Sequence, residues 1–234
     1  MSKQFAIADV HGCLNTFEAL LDKIGFSQSD ELYMLGDYID RGWNSKGVID
    51  KIQTLQTQGY TIKCQRGNHE EMFLEARQAE LSKELPAYLC NRFLKSFGAS
   101  AAKDVPEKYA EFCAQLPYYQ LVGKYILVHA GLNFEYGDPF DEVDKSELIW
   151  VRDWYKQLNK EWLGDRFVLH GHTPQTKMET TAQLRYLPRN RVLDLDCGAF
   201  MNKQKPRGYG YLAAFDMTNQ ELYFQENVDK DNTY

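Results

Sequence analysis

Apolar and polar residues alternate along the N-terminal part of the chain in blocks that predict strands and helices in turn. Short apolar runs occupy Phe5–Ala8, Leu32–Leu35 and Tyr60–Cys64, and each has the length of a buried strand. Between these runs, apolar residues recur at intervals of three and four, which predicts helices over Leu14–Ile24 and Val48–Leu55. This alternation predicts a parallel sheet with helices packed on it.

The rest of the chain changes character twice. Residues 75–120 carry two apolar stripes at helical spacing and predict a helical excursion. The stripes are formed by Leu85, Leu89, Phe93, Leu94 and Phe97, and by Tyr109, Phe112, Cys113 and Leu116. Further strands are predicted at Tyr125–Val128, Arg166–Leu169, Val192–Leu195, Tyr209–Phe215 and Glu221–Gln225. No repeat or linker interrupts the chain, so we expect a single domain over residues 1–234, with 228–234 as a flexible tail.

Composition excludes several classes of protein. Hydrophobic residues make up 44% of the chain and charged residues 26%, as in ordinary globular domains. The net charge of −6 makes a nucleic-acid partner unexpected, because such proteins neutralise phosphates with an excess of basic residues. An anionic substrate must therefore be bound by a local positive feature, such as a few arginines or a metal.

Cysteine usage and hydropathy indicate where the protein works. The five cysteines are odd in number and form no C-x-x-C pair, which favours reduced thiols in the cytoplasm over disulfides or a zinc ribbon. No signal peptide and no apolar run of membrane-spanning length is visible. We expect no membrane association, and no obligate partner is evident.

Side chains that can bind metal follow one predicted strand after another. In parallel α/β sheets, functional groups gather at the carboxyl ends of the strands. All five histidines of the chain lie at such strand ends. The segments concerned are Asp9–Gly12, Gly36–Gly42, Gly67–Glu70, His129–Gly131 and His170–Thr173.

Each of these segments also has an ordinary structural explanation. Asp9 could cap the helix that follows it, while Asp37 and Asp40 could be turn carboxylates beside glycines. Asn68 follows a glycine, where a left-handed turn is common, and His170 is expected to be structural and to point away from the site. These explanations weaken together, because five separate turns would each have to carry metal-ligating side chains.

Six of these side chains form a donor set that fits two metal ions. They are Asp9, His11, Asp37, Asn68, His129 and His172. A mixture of imidazole, carboxylate and amide oxygen suits Mn, Fe or Zn better than an all-oxygen calcium site. One carboxylate must bridge if the ions lie roughly 3.5–4 Å apart. Positions would remain open on both ions for water and substrate oxygens.

The order and spacing of the segments resemble the calcineurin-like metallophosphoesterase superfamily. The match is to the phosphoprotein phosphatase family of serine/threonine phosphatases, in its short bacterial and bacteriophage lambda-type branch. The family pattern GDxHG, GDxxDRG, GNHE, HxGL and a late histidine is followed between Ala8 and Thr173, with Ala8 in place of the usual glycine. The resemblance implies an α/β fold, a β-sandwich flanked by helices in an α-β-β-α arrangement with a helical insertion.

The resemblance also implies roles for individual residues. The first metal would be bound by Asp9 and His11, the second by Asn68, His129 and His172, with Asp37 bridging the two. Mn is the expected metal, with Fe or Zn as alternatives. A water acidified by both cations would attack phosphorus. His69, oriented by Asp40, would protonate the leaving alkoxide.

Binding of the substrate phosphate is expected from two arginines and an amide. The resemblance implies that Arg41 and Asn68 contact the phosphoryl oxygens, and Arg152 is the candidate for a second arginine. Arg152 lies in Leu148–Arg152, which resembles the W-x-R segment of the short bacterial branch. Its alternative role is that of a surface arginine paired with Asp153.

The leading hypothesis is a phosphomonoesterase that acts on phosphoserine and phosphothreonine, with phosphotyrosine as a further candidate. Its substrate would be a phosphorylated protein or a small phosphoester. The alternative within the superfamily is a dinucleoside tetraphosphate hydrolase. The complete Gly36–Gly42 segment, together with Glu70 after His69, favours the phosphatase. A scaffold without chemistry is the remaining possibility, although no ligand and no acid of the pattern is missing.

Overall fold

Two β-sheets face each other across a shared apolar core in the computed structural model, which describes residues 2–82, 91–135, 137–141, 145–201 and 207–229. The first sheet has the order β3 (Thr61–Cys64), β2 (Glu31–Met34), β1 (Gln4–Ile7), β8 (Tyr211–Asp216) and β9 (Glu221–Glu226). Its strands β1–β3 are parallel, whereas β8 and β9 join antiparallel. The second sheet has the order β4 (Tyr119–Val122), β5 (Tyr125–Val128), β6 (Phe167–His170) and β7 (Val192–Asp194), with β5–β7 parallel.

Helices cover the outer faces of this sandwich. The α-helices are α1 (Leu14–Ile24), α2 (Ser45–Thr57), α3 (Asn68–Ser82), α4 (Asn91–Ser96), α5 (Glu107–Ala114), α6 (Glu147–Trp150), α7 (Lys160–Leu163) and α8 (Lys177–Asn190). Short 3₁₀ helices span Ala102–Asp104 and Trp154–Gln157. Helices α1 and α2 bury apolar side chains against the first sheet, and α6 and α7 do so against the second. The expected α-β-β-α arrangement is therefore confirmed.

Every predicted strand is present, with bounds shifted by two residues at most. The helical excursion contains α3, α4 and α5, whereas Leu85 and Leu89 of its first stripe lie outside the described residues. Strand β4, which begins at Tyr119 and pairs with β5, was not predicted. Pro117 ends the helical spacing just before this strand.

Helix α8 was not predicted from the apolar pattern. Only Thr180 and Leu187 of its residues are buried, so its apolar stripe is too sparse to stand out. A capping box marks its start, since the Thr176 side chain accepts from the Glu179 backbone N–H and Glu179 accepts in return. That Thr-x-x-Glu pair is the sequence signal that would have located the helix.

Residues 228 and 229, the first two of the predicted flexible tail, lie among the described residues. The Asp229 carboxylate accepts hydrogen bonds from the backbone N–H groups of Asn15 and Thr16, at 3.1 and 3.0 Å. Cys13 at the start of α1 supplies no side-chain cap of its own, so Asp229 satisfies N–H groups that the helix leaves unpaired. Residues 230–234 lie outside the described residues.

The structure can be compared with the predictions made from cysteine usage and from hydropathy. Cys13, Cys64, Cys113 and Cys197 are all unpaired, and Cys90 lies outside the described residues. In the part of the chain that the structure describes, no helix has the length and apolar character needed to cross a bilayer.

Candidate metal centre

The loops that follow β1, β2, β3, β5 and β6 converge at one edge of the sandwich. All six predicted metal ligands meet there, and none is more than 6% exposed. They are Asp9, His11, Asp37, Asn68, His129 and His172. The carboxyl ends of neighbouring parallel strands bring residues that are far apart in sequence into one buried cluster.

Asp37 lies at the centre of this cluster. Its Oδ2 atom is 3.4 Å from Nε2 of His11, and its Oδ1 atom is 3.5 Å from Nε2 of His129. Two groups of donor atoms are each compact enough to bind a metal ion, one formed by His11, Asp37 and His69 and the other by Asp9, Asp37 and His129. Asp37 belongs to both groups. The groups differ from the predicted pairing, since His69 joins His11 and Asp9 joins His129.

Hydrogen bonds outside the cluster assign the tautomers of two histidines. The Nδ1 atom of His11 lies 3.0 Å from the carbonyl oxygen of Ile39, and that of His129 lies 2.9 Å from the carbonyl oxygen of Leu35. Because a carbonyl only accepts, each Nδ1 carries the proton and each Nε2 directs a lone pair at Asp37. Lone pairs that face carboxylate oxygens at this distance suit a shared cation.

Asn68 and His172 complete the second half of the cluster. The Oδ1 atom of Asn68 is 3.0 Å from Nε2 of His129 and 2.9 Å from Nδ1 of His172. The Nε2 atom of His172 is buried and has no hydrogen-bond partner among the described residues. The backbone N–H of His172 donates to the carboxylate of Asp9. The residues therefore fit a two-ion centre.

Burial sets the protonation of the histidines. It lowers the pKa of His11 to about 3, and burial followed by the charge of His129 lowers the pKa of His172 to about 3. The pKa of His129 is also lowered by burial. These imidazoles are therefore neutral near pH 7, as metal binding requires.

The pKa values of Asp37 and Asp9 are shifted in opposite directions. Burial opposes the ionisation of Asp37, but His129, His69 and His11 outweigh it and hold its pKa below the ordinary value. Burial, followed by the charges of Asp196 and Asp37, raises the pKa of Asp9 well above its usual range. A cation beside Asp9 would favour the ionised form.

The backbone around the cluster is strained. Six candidate site residues have a positive φ, although they are not glycine. They are Asp9, His11, Asp37, Asp40, Arg41 and His172. Glycine is needed at two close approaches, because a Cβ on Gly67 would overlap Oδ1 of Asp37 and a Cβ on Gly171 would overlap Oδ2 of Asp9.

His69 and Asp40 form a pair beside the donor cluster. The Nδ1 atom of His69 lies 2.9 Å from Oδ2 of Asp40, and its Nε2 atom lies 3.9 Å from Oδ2 of Asp37. Burial opposes protonation of His69, but the charges of Asp37 and Asp40 outweigh it and raise its pKa. The imidazole can therefore hold a proton close to the expected position of the substrate.

Arg41 projects from the same loop as Asp37 and is exposed. Its Nε and Nη2 atoms lie 3.4 Å from Nε2 of His69, and its guanidinium carbon lies 4.7 Å from the centre of the Phe200 ring. The Phe200 ring also meets the His11 ring edge-on, with centres 5.0 Å apart. Phe200, which was not predicted as a site residue, therefore contacts both a candidate ligand and the arginine.

Arg152 lies close to the candidate ligand His172. Its Nη1 atom donates to Oγ1 of Thr173 at 3.0 Å, and Thr173 directly follows the candidate ligand His172. The ion pair with Asp153 that was the alternative is absent from the described part of the chain. The side chain of Arg152 is exposed.

Glu70 belongs to the motif that contains His69, but the sequence alone predicted no contact for it. Its carboxylate accepts from the backbone N–H groups of Asp37, Tyr38 and Gly67, each at 2.9 Å. Burial, followed by the charge of Asp37, raises the pKa of Glu70 to about 7. Glu70 thus fixes the loops that present Asp37 and Asn68.

Asp196 is a second acidic residue that was missed. It is 1% exposed, and its Oδ2 atom has no hydrogen-bond partner among the described residues. Its signal was the Asp194-x-Asp196 sequence at the end of β7, a strand end like those that supplied the ligands.

His170 has the structural role that was expected. Its Nδ1 atom lies 2.9 Å from the carbonyl oxygen of Gly171, and its Nε2 atom accepts from the hydroxyl of Tyr155 at 2.7 Å. Both nitrogens are used, and neither contacts a candidate ligand side chain.

A family model for calcineurin-like phosphoesterases matches residues 3–202. The chain belongs to this family. Among curated relatives, the bis(5'-nucleosyl)-tetraphosphatase PrpE [asymmetrical] of Geobacillus thermodenitrificans is 23% identical over 218 residues, covering 82% of this chain and 84% of the relative. The protein of the same name from Bacillus subtilis is 24% identical over 226 residues, covering 85% and 86%.

Solved structures share the calcineurin-like phosphoesterase fold with this chain. A protein provisionally named a diadenosine tetraphosphatase superposes with a TM-score of 0.70 at 19% identity, covering 98% of this chain and 95% of that protein. A serine/threonine phosphatase from Saccharomyces cerevisiae gives 0.65 at 14% identity, covering 99% and 82%. A cold-active protein-tyrosine phosphatase of a psychrophilic Shewanella gives 0.63 at 15% identity, covering 97% and 81%.

Proposed function

We propose that this calcineurin-like phosphoesterase hydrolyses dinucleoside tetraphosphates asymmetrically with the help of two divalent cations. The observation that supports a hydrolase is the buried donor cluster, in which Asp37 stands between the neutral imidazoles of His11 and His129. The substrate class is supported by the relatives named as asymmetrical tetraphosphatases, which match more than four-fifths of the chain.

The residues of the centre divide the work. Asp9 and His11 would bind one cation, with Asp37 bridging to a second. Asn68, His129 and His172 would complete the second site. Bound cations of this kind acidify a water and neutralise phosphate charge. Because Mn, Fe and Zn all accept such donors, Mn is proposed and must be tested against the other two.

The substrate would lie between Arg41 and Arg152. Arg41 and Arg152 would hold the phosphoryl oxygens as charge spreads over them, assisted by the amide of Asn68. His69 would keep a proton near the leaving oxygen, and Asp40 would orient its imidazole. The contacts of His69 with Asp40 and of Asn68 with His129 support these assignments.

The tetraphosphatase is now the leading hypothesis, whereas the motifs favoured a protein phosphatase. The segment Gly36–Gly42 and Glu70 were expected to favour a protein phosphatase. In the structure, the carboxylate of Glu70 accepts from backbone N–H groups of the loop that carries Asp37. These motifs assemble the cluster for any phosphoryl substrate, and so they do not select a phosphoester over a phosphoanhydride.

Phosphomonoester hydrolysis remains the second candidate, and the contact between His69 and Asp40 favours it. A serine alkoxide is a strong base that needs a proton as it leaves, whereas a nucleotide phosphate is a much weaker base. A well-oriented acid therefore has most to contribute with a phosphoserine or phosphothreonine substrate.

The test is a substrate comparison on protein freed of metal and reloaded with Mn, Fe, Zn, Ni or Mg. Diadenosine tetraphosphate, a phosphoserine peptide and p-nitrophenyl phosphate are compared by kcat/KM. Uneven cleavage of the four-phosphate chain gives ATP and AMP, whereas even cleavage gives two ADP, and anion exchange separates these products. A higher kcat/KM for the phosphopeptide, or formation of ADP alone, would overturn the proposal. The Asp37→Asn protein serves as the inactive control.

A further inference from the structure

A cavity lies next to the metal centre, and Arg152 and Thr173 are among the residues that line it. Its volume is about 500 Å³, which is within the range of small-molecule sites. Arg152 and Thr173, which are hydrogen bonded to each other, form the wall between the cavity and the cluster. Thr173 directly follows the candidate ligand His172, so the lining of the cavity begins one residue from the cluster.

An aromatic ring is fixed on the wall of this cavity. The hydroxyl of Tyr155 donates to Nε2 of His170, and its ring meets those of Trp154 and His170 edge-on. Tyr155 is nevertheless 44% exposed, so its ring is fixed at one end and open to a ligand. A ring of this kind can stack on a planar base with little loss of conformational entropy.

The charges around the cavity suit an anionic ligand. Arg152 and Lys156 contribute positive charge at its rim. Lys156 makes no ion pair within the described ranges. Asp153 is exposed at the same rim, and Asp194 is buried in the wall. Burial, followed by the charge of Asp196, raises the pKa of Asp194 well above its usual range, which favours the neutral form of this carboxyl.

We propose that this cavity binds one nucleoside end of the polyphosphate substrate, with Tyr155 stacked on the base and Lys156 beside its phosphates. The proposal rests on the proposed tetraphosphatase function for the identity of the ligand. Arg152 would then contact phosphates on both sides of the wall. The cavity would thereby select nucleotides over simple phosphoesters, a choice that the metal ligands alone cannot make.

The first experiment measures binding rather than turnover. ATP and inorganic tripolyphosphate are titrated calorimetrically into the Mn-loaded protein at a fixed free Mn concentration. We expect ATP to bind at least tenfold more tightly than tripolyphosphate, because only ATP carries a base. Equal affinities would overturn the proposal. This readout does not depend on whether diadenosine tetraphosphate is hydrolysed.

Variants assign the preference to the cavity. Tyr155→Ala should weaken ATP about tenfold and leave tripolyphosphate within twofold, whereas Tyr155→Phe keeps the ring and should retain most of the affinity. Lys156→Ala should weaken both ligands alike. Tyr186, which is 51% exposed on α8, supplies the matched control Tyr186→Ala. An unchanged preference for ATP in Tyr155→Ala, or its loss in Tyr186→Ala, would refute the assignment.

Kinetics separates this proposal from the proposed function. Tyr155→Ala should raise KM for diadenosine tetraphosphate about tenfold and leave kcat/KM for p-nitrophenyl phosphate within twofold. Equal losses on both substrates would mean that Tyr155 only supports the fold through His170. If the unaltered protein failed to cleave diadenosine tetraphosphate but still preferred ATP to tripolyphosphate, the proposed function would fail while the cavity assignment held.

Discussion

The Nδ1 atom of His69 lies 2.9 Å from Oδ2 of Asp40, while the opposite side of the same ring faces Asp37 and Arg41. The two carboxylates raise the pKa of the imidazole, and the hydrogen bond to Asp40 fixes its orientation. This arrangement holds a proton at the edge of the donor cluster without using His69 in the proposed ligand set.

The role of His69 can be tested through the leaving group. His69→Asn should keep both metals and lower kcat on a phosphoserine peptide by about 10²–10⁴-fold. The loss on p-nitrophenyl phosphate should be smaller, because p-nitrophenolate is stable without a proton. Equal losses on both substrates with metal content intact would assign His69 to charge stabilisation, and a loss of metal would make it a ligand.

The pH profile provides an independent check on the same residue. An acid must be protonated to act, so activity on the phosphopeptide should fall as the pH rises through the raised pKa of His69. Below that pKa the contribution is fully present. His69→Asn should lack this alkaline limb, measured as kcat/KM against pH. A limb that persists unchanged in the variant would assign it to another group.

Asp37 should hold both cations. Asp37→Asn removes a charge that both halves of the cluster share, so elemental analysis should find that both ions are lost rather than one. Asp22→Asn is the matched control, since Asp22 is exposed on α1. Full metal content in Asp37→Asn would show that the bridging ligand is misassigned.

Arg152 should act with Arg41 in binding phosphate. Arg152→Ala should raise KM and lower kcat, because guanidinium contacts strengthen as charge spreads over the transferred group. A combined loss of about 10-fold or more in kcat/KM corresponds to one charged hydrogen bond. Arg189→Ala, an exposed arginine on α8, should be neutral. Kinetics unchanged by Arg152→Ala would return this residue to a surface role.

Asp229 should stabilise the protein without affecting its chemistry. Asp229→Ala removes the acceptor for two backbone N–H groups of α1, and such caps contribute about 0.5–2 kcal/mol. For a chain of this size that corresponds to a fall in Tm of roughly 2–4 °C per kcal/mol. Glu226→Ala is the exposed control. A Tm identical to that of the control would mean that the cap contributes nothing.

The donor cluster was predictable because its signals are local. Each ligand follows a short apolar run, and the strand order brings these runs to one edge, so Asp9, His11 and Asp37 could be placed from their neighbours. All strands except β4 were predictable for the same reason. Helix α8 was missed because it buries too few apolar residues to show a period.

Other features depend on contacts between distant parts of the chain. Asp229 caps a helix that begins more than two hundred positions earlier, and no local pattern encodes that pairing. The position of Phe200 under Arg41 likewise follows from the packing of two loops. The motifs could not decide between a phosphoester and a phosphoanhydride, because they chiefly determine the metal ligands, and most residues that line the neighbouring cavity lie outside them.

The left-handed backbone at six site residues has a consequence for anyone who evolves this protein. Such positions cost of order 1–3 kcal/mol each, a sum comparable with the whole net stability of a domain. A library selected for heat resistance alone would therefore enrich glycine or asparagine at positions such as Arg41. The selected variants would be thermally stable but inactive, so catalytic turnover has to be part of every round of selection.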